Sequence, residues 1–140
     1  MRVWLYARLS NDDDREMNSL LNQREICQAF AEQHGYIIMG QSFDDNISGM
    51  SFDRRGLDEL MAAVDADKTD AVIVKDLSRL GRHRTQTALF IDYLREHQVR
   101  VISATEGVDT FRDEDDLIIG VRGLMNDYYA KDIGKKIRAG

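Results

Sequence analysis

The chain has one cysteine, three histidines and no proline. Nowhere does an apolar run approach the ~20 residues of a membrane-spanning helix. A lone Cys27 leaves neither a disulfide framework nor a zinc cluster available. The N-terminus lacks the basic, apolar and small-residue order of a secretory signal, so a soluble, cytoplasmic protein is expected. GxxxxGK[ST] and GxGxxG are both missing, which removes the strongest signatures of nucleotide-binding enzymes. There is no GxSxG, and His34, His83 and His97 all lie far in sequence from Ser10, so a hydrolase triad is unsupported. Internal repeats, low-complexity tracts and linkers are absent too, and nothing functional follows from the lack of proline.

What is present fits one domain. With 140 residues, 43% of them apolar, the chain can bury roughly two thirds of the surface it exposes unfolded. The net charge of −6 argues against nucleic acid as a partner until its distribution is considered. Acid is concentrated in Asp12–Asp14 and Asp113–Asp116. Base is concentrated in Lys75, Arg79, Arg82 and Arg84, and again in Lys131, Lys135, Lys136 and Arg138. Clusters separated by more than the ~8–10 Å screening length act locally.

Residues 2–9 read as a strand with Trp4, Tyr6, Arg8 and Ser10 on one face and Val3, Leu5, Ala7 and Leu9 on the other. A face that turns polar as its strand ends is suited to be the wall of a site. A helix is expected over about 18–34, closed by His34-Gly35, then an apolar strand at Tyr36–Met39 and a loop from Asp44 to Gly56. Leu57, Leu60, Met61 and Val64 give an amphipathic helix, and AVIV at 71–74 a buried parallel strand. A helix over about 84–97 carries Leu89, Phe90, Tyr93 and Leu94. Val99–Ser103 is another strand, and Glu106–Val108 a short further one. The expected fold is therefore α/β: a mostly parallel sheet of four to five strands flanked by helices. From about Asp115 to Arg138 a helical period carries Leu117, Val121, Leu124 and Tyr128 and ends in base. A helix of that kind suits a partner, whether another subunit, the rest of a longer protein or DNA, with packing back on its own sheet as the plainer alternative.

Ligands of open α/β sheets bind beyond the carboxyl ends of the strands. Those ends hold Arg8 and Ser10, then Asp44 and Asp45, then Lys75 and the run DLSRLGRHR with Arg79, Arg82 and Arg84; Arg54 and Arg55 can reach the same edge. Taken singly, each has a plainer role as turn, cap or solvated charge. Together they bring several guanidiniums, a hydroxyl and one or two carboxylates to one edge. Guanidinium forks match phosphate oxygens and remain charged, so the combination suits phosphoryl transfer. A receiver-like signalling domain is the alternative, with Asp12–Asp14 and Asp76 as its acidic cluster.

YARLS at 6–10, SLLNQ at 19–23, DDNISGMSFDRRG at 44–56, VIVKDLSRLGR at 72–82 and YYAKDIGKKIR at 128–138 resemble, in combination, the N-terminal catalytic domain of the serine recombinases, the resolvase/invertase group. The resemblance covers residues 1–140 and looks closest to the large members carried by transposons and phages. It implies that Ser10 is a nucleophile that cleaves and rejoins DNA through a 5′-phosphoserine. It implies phosphate-binding roles for Arg8, Arg79 and Arg82, and the role of the DR-motif arginine for Arg54. Tyr6 and Gln23 match supporting positions, Ser48 and Gly49 the mobile loop, and Lys75 and Leu77 the strand-end motif. The motif aspartate is Asp45 or Asp44, with Asp45 preferred. Candidate DNA contacts are Lys75, Arg84, Lys131, Lys135, Lys136 and Arg138. The resemblance further implies no metal or cofactor, paired recombination sites on double-stranded DNA, a homodimer or tetramer assembled by the long last helix, and downstream DNA-binding domains absent from this chain.

Overall fold

The computed structural model describes residues 1–10, 19–46, 54–80 and 84–111, with the backbone alone for Ser10, Asn46 and Arg84. Five strands form one sheet: β1 (Arg2–Ser10), β2 (Ile37–Asn46), β3 (Ala71–Val74), β4 (Arg100–Ser103) and β5 (Val108–Asp109), in the order β2-β1-β3-β4-β5. Only the β4–β5 pairing is antiparallel. Helices α1 (Leu20–Gln33), α2 (Arg55–Asp65) and α3 (Arg84–Glu96) make the connections, and a 3₁₀ turn (Leu77–Leu80) follows β3.

Strand alternation divides the core in two. Val3 and Leu5 of β1 pack with Ala71, Ile73 and Ile102 beneath Cys27 and Ala31 of α1. Tyr6 packs on the other face with Val72, Val74 and Val101 beneath Leu57, Leu60 and Val64 of α2 and Ile91 and Leu94 of α3. Leu60, Ile73 and Leu94 are fully buried, each such side chain stabilising the fold by about 1.5–3 kcal/mol. Burial also pushes the Cys27 thiol up to about 12, with the Asp76 charge adding to it. The thiol therefore behaves as a small apolar filler.

Among the described residues the expected helices and strands form with boundaries shifted by one or two residues, apart from two differences. First, β2 is the longer strand. It runs through Asp44 and Asp45 to Asn46, where a loop was expected. As an edge strand it has one face against the core and one in water, so Ser42 and Asp44 are buried while Gln41, Phe43 and Asp45 are exposed. That mixture lacks the apolar run by which strands are recognised. Second, Leu89 is 64% exposed, and Ile91 and Leu94 are the residues α3 buries. Residues 104–107 form a turn, so β5 begins at Val108 and excludes Glu106. The long helix expected over about 115–138 lies outside the described residues.

Among the described residues no helix is long and apolar enough to cross a membrane.

Candidate active site

The site grows from a mismatch in strand length. β1 pairs with β2 as far as Ser10↔Asn46, but its pairing with β3 ends at Leu5↔Ile73. Past that point the β3 side of β1 has no strand to bond, and backbone groups there need other partners. Gln23 supplies them at Arg8. Its Oε1 accepts the Arg8 amide N–H at 3.1 Å, and its Nε2 donates to the Arg8 carbonyl at 2.8 Å. The side-chain amide thus stands in for a missing strand, and it is completely buried. Gln23 reaches the sheet end because it lies in the first turn of α1. Ser19 caps that turn, its hydroxyl accepting from the Asn22 amide at 3.0 Å.

Arg79 meets the same carbonyl, its Nη1 donating to Arg8 O at 2.6 Å. The Arg79 guanidinium is only 5% exposed and is held at Nε by the Asp76 carboxylate, 3.3 Å away. Arg8 reciprocates, donating from Nη2 to the Ser78 carbonyl at 2.5 Å. Two arginines, one from the end of β1 and one from the turn after β3, are in this way laced together two residues upstream of Ser10. Lys75, at the end of β3, donates from Nζ to the Asn22 side chain at 3.1 Å, so the ammonium lies beside the first turn of α1.

A second cluster lies toward β2. Tyr6 donates its phenol to Asp44 at 2.7 Å. The Asp44 carboxylate also accepts the Gly56 and Leu57 amides, at 2.7 and 3.0 Å, and so caps α2. Three donors on a 1%-exposed carboxylate are the compensation such a group needs. Burial first, and then the bond to Asp44, push the Tyr6 phenol far up, while the Arg8 and Arg54 charges oppose the shift. Tyr6 is thereby a neutral donor and no nucleophile. α2 comes this close to β2 because residue 56 is glycine: a Cβ there would lie 2.3 Å from the Phe43 carbonyl oxygen. The Ser42 hydroxyl donates to the Gly56 carbonyl at 2.7 Å while accepting from the Trp4 indole at 3.0 Å. This anchoring holds Arg54, at the N-cap position of α2, exposed beside the Tyr6–Asp44 pair.

Tyr6, Arg8, Gln23, Asp44, Arg54 and Arg79 therefore gather at the carboxyl edge of the sheet. Of the two aspartates, Asp44 faces Tyr6, and the preferred Asp45 is exposed on the next position of the strand, where side chains alternate to the opposite face. The side chains of Ser10 and Arg84 are not described, and Arg82, Ser48, Gly49, Lys131, Lys135, Lys136 and Arg138 lie outside the described residues. Asp76, an acidic ligand in the receiver reading, is instead engaged by Arg79 and by the Ser78 amide. Among the described residues no three His, Cys, Asp or Glu side chains gather as a metal site. Sequence reasoning missed Asn22, Ser42 and Glu106. Asn22 had a usable signal, since it neighbours Gln23 in the capped first turn of a helix that begins at the strand ends.

The arrangement is an α/β domain whose strand ends cluster guanidinium groups around a buried tyrosine–carboxylate pair. The chain belongs to the resolvase N-terminal domain family, whose model matches residues 3–140. It is 29% identical over 121 residues to the transposon Tn3 resolvase of Escherichia coli, covering 86% of this chain and 60% of that protein. A crystal structure of a resolvase family site-specific recombinase from Streptococcus pneumoniae superposes with a TM-score of 0.78 at 26% identity, covering 100% of this chain and 95% of the other. The N-terminal catalytic domain of TP901-1 integrase shares the fold, with a TM-score of 0.78 at 23% identity over 93% of this chain and 97% of that one. No comparison supports the receiver reading.

Proposed function

We propose that residues 1–140 are the catalytic domain of a serine site-specific recombinase, which moves or resolves a mobile element by cleaving and rejoining DNA. The observation that carries this is the lacing of Arg8, Gln23 and Arg79 directly upstream of Ser10, in a chain of the resolvase family.

In the proposed reaction the Ser10 hydroxyl loses its proton and its oxygen attacks a DNA phosphorus. The bond to the 3′ oxygen breaks, that oxygen takes up a proton, and a 5′-phosphoserine ester remains. Rejoining is the reverse, with the 3′ hydroxyl of an exchanged strand as attacking group. Arg8, Arg54, Arg79 and Arg82 stabilise the charge spread over the non-bridging oxygens. They also favour the serine alkoxide, since nearby positive charge lowers a hydroxyl's pKa. Asp44 acts by holding Tyr6 and the α2 N-terminus, and so the exposed Arg54. Because the ester conserves the energy of the broken bond, the cycle needs no ATP, and the guanidiniums supply the cationic stabilisation that a metal ion supplies elsewhere. The partners in this reading are paired duplex sites and further copies of the chain, assembled through residues 115–138, with Lys75, Arg84, Lys131, Lys135, Lys136 and Arg138 on the DNA backbone.

The test is Ser10→Ala in the full-length protein, incubated with supercoiled DNA carrying its recombination site. Covalent protein–DNA adducts, read on denaturing gels, are expected to disappear. Adducts undiminished in the variant would overturn the nucleophile assignment.

A further inference from the structure

The 3₁₀ turn Leu77–Leu80 carries two residues that meet Arg8: Ser78 through its carbonyl and Arg79 through its guanidinium. One turn of 3₁₀ helix has little stability of its own, and the amide groups at its start have no partner within it. Asp76 Oδ1 accepts one of them, the Ser78 amide, at 3.1 Å, and the turn after β4, residues 104–107, supplies further support. Glu106 Oε1 accepts the Leu77 amide at 2.9 Å and the Ser103 hydroxyl at 2.7 Å. Immediately before the 3₁₀ turn, the Lys75 carbonyl accepts from the Thr105 hydroxyl at 2.6 Å and from the Thr105 amide at 3.0 Å, and the Val74 carbonyl accepts from the Ala104 amide at 2.9 Å.

From this network we infer that Glu106 is a positioning residue: by holding the Leu77 amide it sets where the next residues present the Ser78 carbonyl and the Arg79 fork to Arg8. The inference rests on the recombinase reading for its consequence in catalysis and on the hydrogen-bond network for its geometry. Glu106 sits in an exposed turn, so its replacement removes an acceptor without opening a core cavity. Misplacing a charge-stabilising group by a fraction of an ångström slows a reaction more than it weakens ground-state binding.

The experiment compares Glu106→Ala and Glu106→Gln in the full-length protein. With Glu106→Ala, the adduct-forming rate at saturating site DNA is expected to fall about tenfold, while the half-saturating DNA concentration stays within about twofold. Glu106→Gln keeps an oxygen acceptor for both donors and is expected to return the rate to within about twofold of the parent. A Glu106→Ala protein at parental rate, or a Glu106→Gln protein as slow as Glu106→Ala, overturns the inference. Nuclear magnetic resonance on the same variants reads the geometry independently of chemistry. Glu106→Ala should speed exchange of the Leu77 amide and shift the Arg79 Nε–H resonance, with Glu106→Gln close to the parent. If the parent forms no adduct, the recombinase reading fails and these resonances alone decide the positioning role, unchanged signals sinking it.

Discussion

The phenol of Tyr6 donates a 2.7 Å hydrogen bond to the carboxylate of Asp44, joining β1 to β2 beneath the N-terminus of α2. Asp44 is bound by the first amides of that helix as well, so one buried carboxylate ties together two strands, a helix start and the exposed Arg54 that precedes it. Removing either partner should therefore have unequal consequences. Tyr6→Phe deletes one donor and is expected to cost about 1 kcal/mol, whereas Asp44→Ala strands three donors and is expected to cost about 3 kcal/mol. Urea denaturation of both variants checks the order. An Asp44→Ala protein as stable as Tyr6→Phe would show that the cap carries no weight.

Gln23 makes a sharper case, because it stabilises the backbone of β1 two residues before Ser10. Gln23→Leu has a similar volume but leaves the Arg8 amide N–H without its partner and removes one donor from the Arg8 carbonyl. A loss of about 2 kcal/mol is expected, along with faster exchange of the Arg8 amide and slower adduct formation. Exchange at the parental rate would mean that Gln23 is not the substitute strand described above.

Gly56→Ala should be costly for a purely steric reason. The added methyl would meet the Phe43 backbone at 2.3 Å, and backbone cannot swing aside as a side chain can. α2 must lift from β2, at an expected cost of about 2–3 kcal/mol, and Arg54 must move with it. Thermal melting gives the first effect. The second would appear as a loss of adduct rate larger than that of a comparably destabilised variant elsewhere, such as Leu94→Ala in α3.

Stability toward acid should depend on the far end of the sheet. The Arg2 guanidinium, hydrogen-bonded to Asp70 at 2.9 and 3.0 Å, holds that carboxyl down at about 2, against an ordinary value of 3.8. A group depressed on folding contributes stability that is fully present above its unfolded pKa and is lost as pH falls through its folded one. The window is thus between about pH 4 and pH 2, and both side chains are well exposed, so the effect is small. Asp70→Asn is expected to flatten the melting-temperature profile in that interval and to lower the plateau above it. An unchanged profile would remove Asp70 from the acid response.

Much of this was legible from residue order. The alternation in VWLYARLS set the two faces of β1, and the continuous AVIV marked β3 as buried on both sides. The stripe of Leu57, Leu60 and Val64 located α2. The continuation of the edge strand from Gly40 to Asn46 escaped recognition because its polar residues serve different ends: Asp44 is buried as a helix cap, while Asp45 beside it is exposed. Adjacent aspartates look alike until a helix N-terminus arrives to bond one of them, which is why the preference for Asp45 fell on the residue whose side chain alternates away from Tyr6. Glu106 escaped for a similar reason, since its partner Leu77 lies 29 residues away and no local pattern records the contact.

Periodicity and composition by themselves determined the α/β class, the faces of β1 and the gathering of arginines near the strand ends, because these depend on spacing along the chain alone. Tertiary structure decided which groups touch. Gln23 serves as a strand, Arg79 bonds a backbone carbonyl and Asp44 closes a helix because β3 stops short of the end of β1 and α2 docks on a glycine, and both facts exist only once distant segments are packed together.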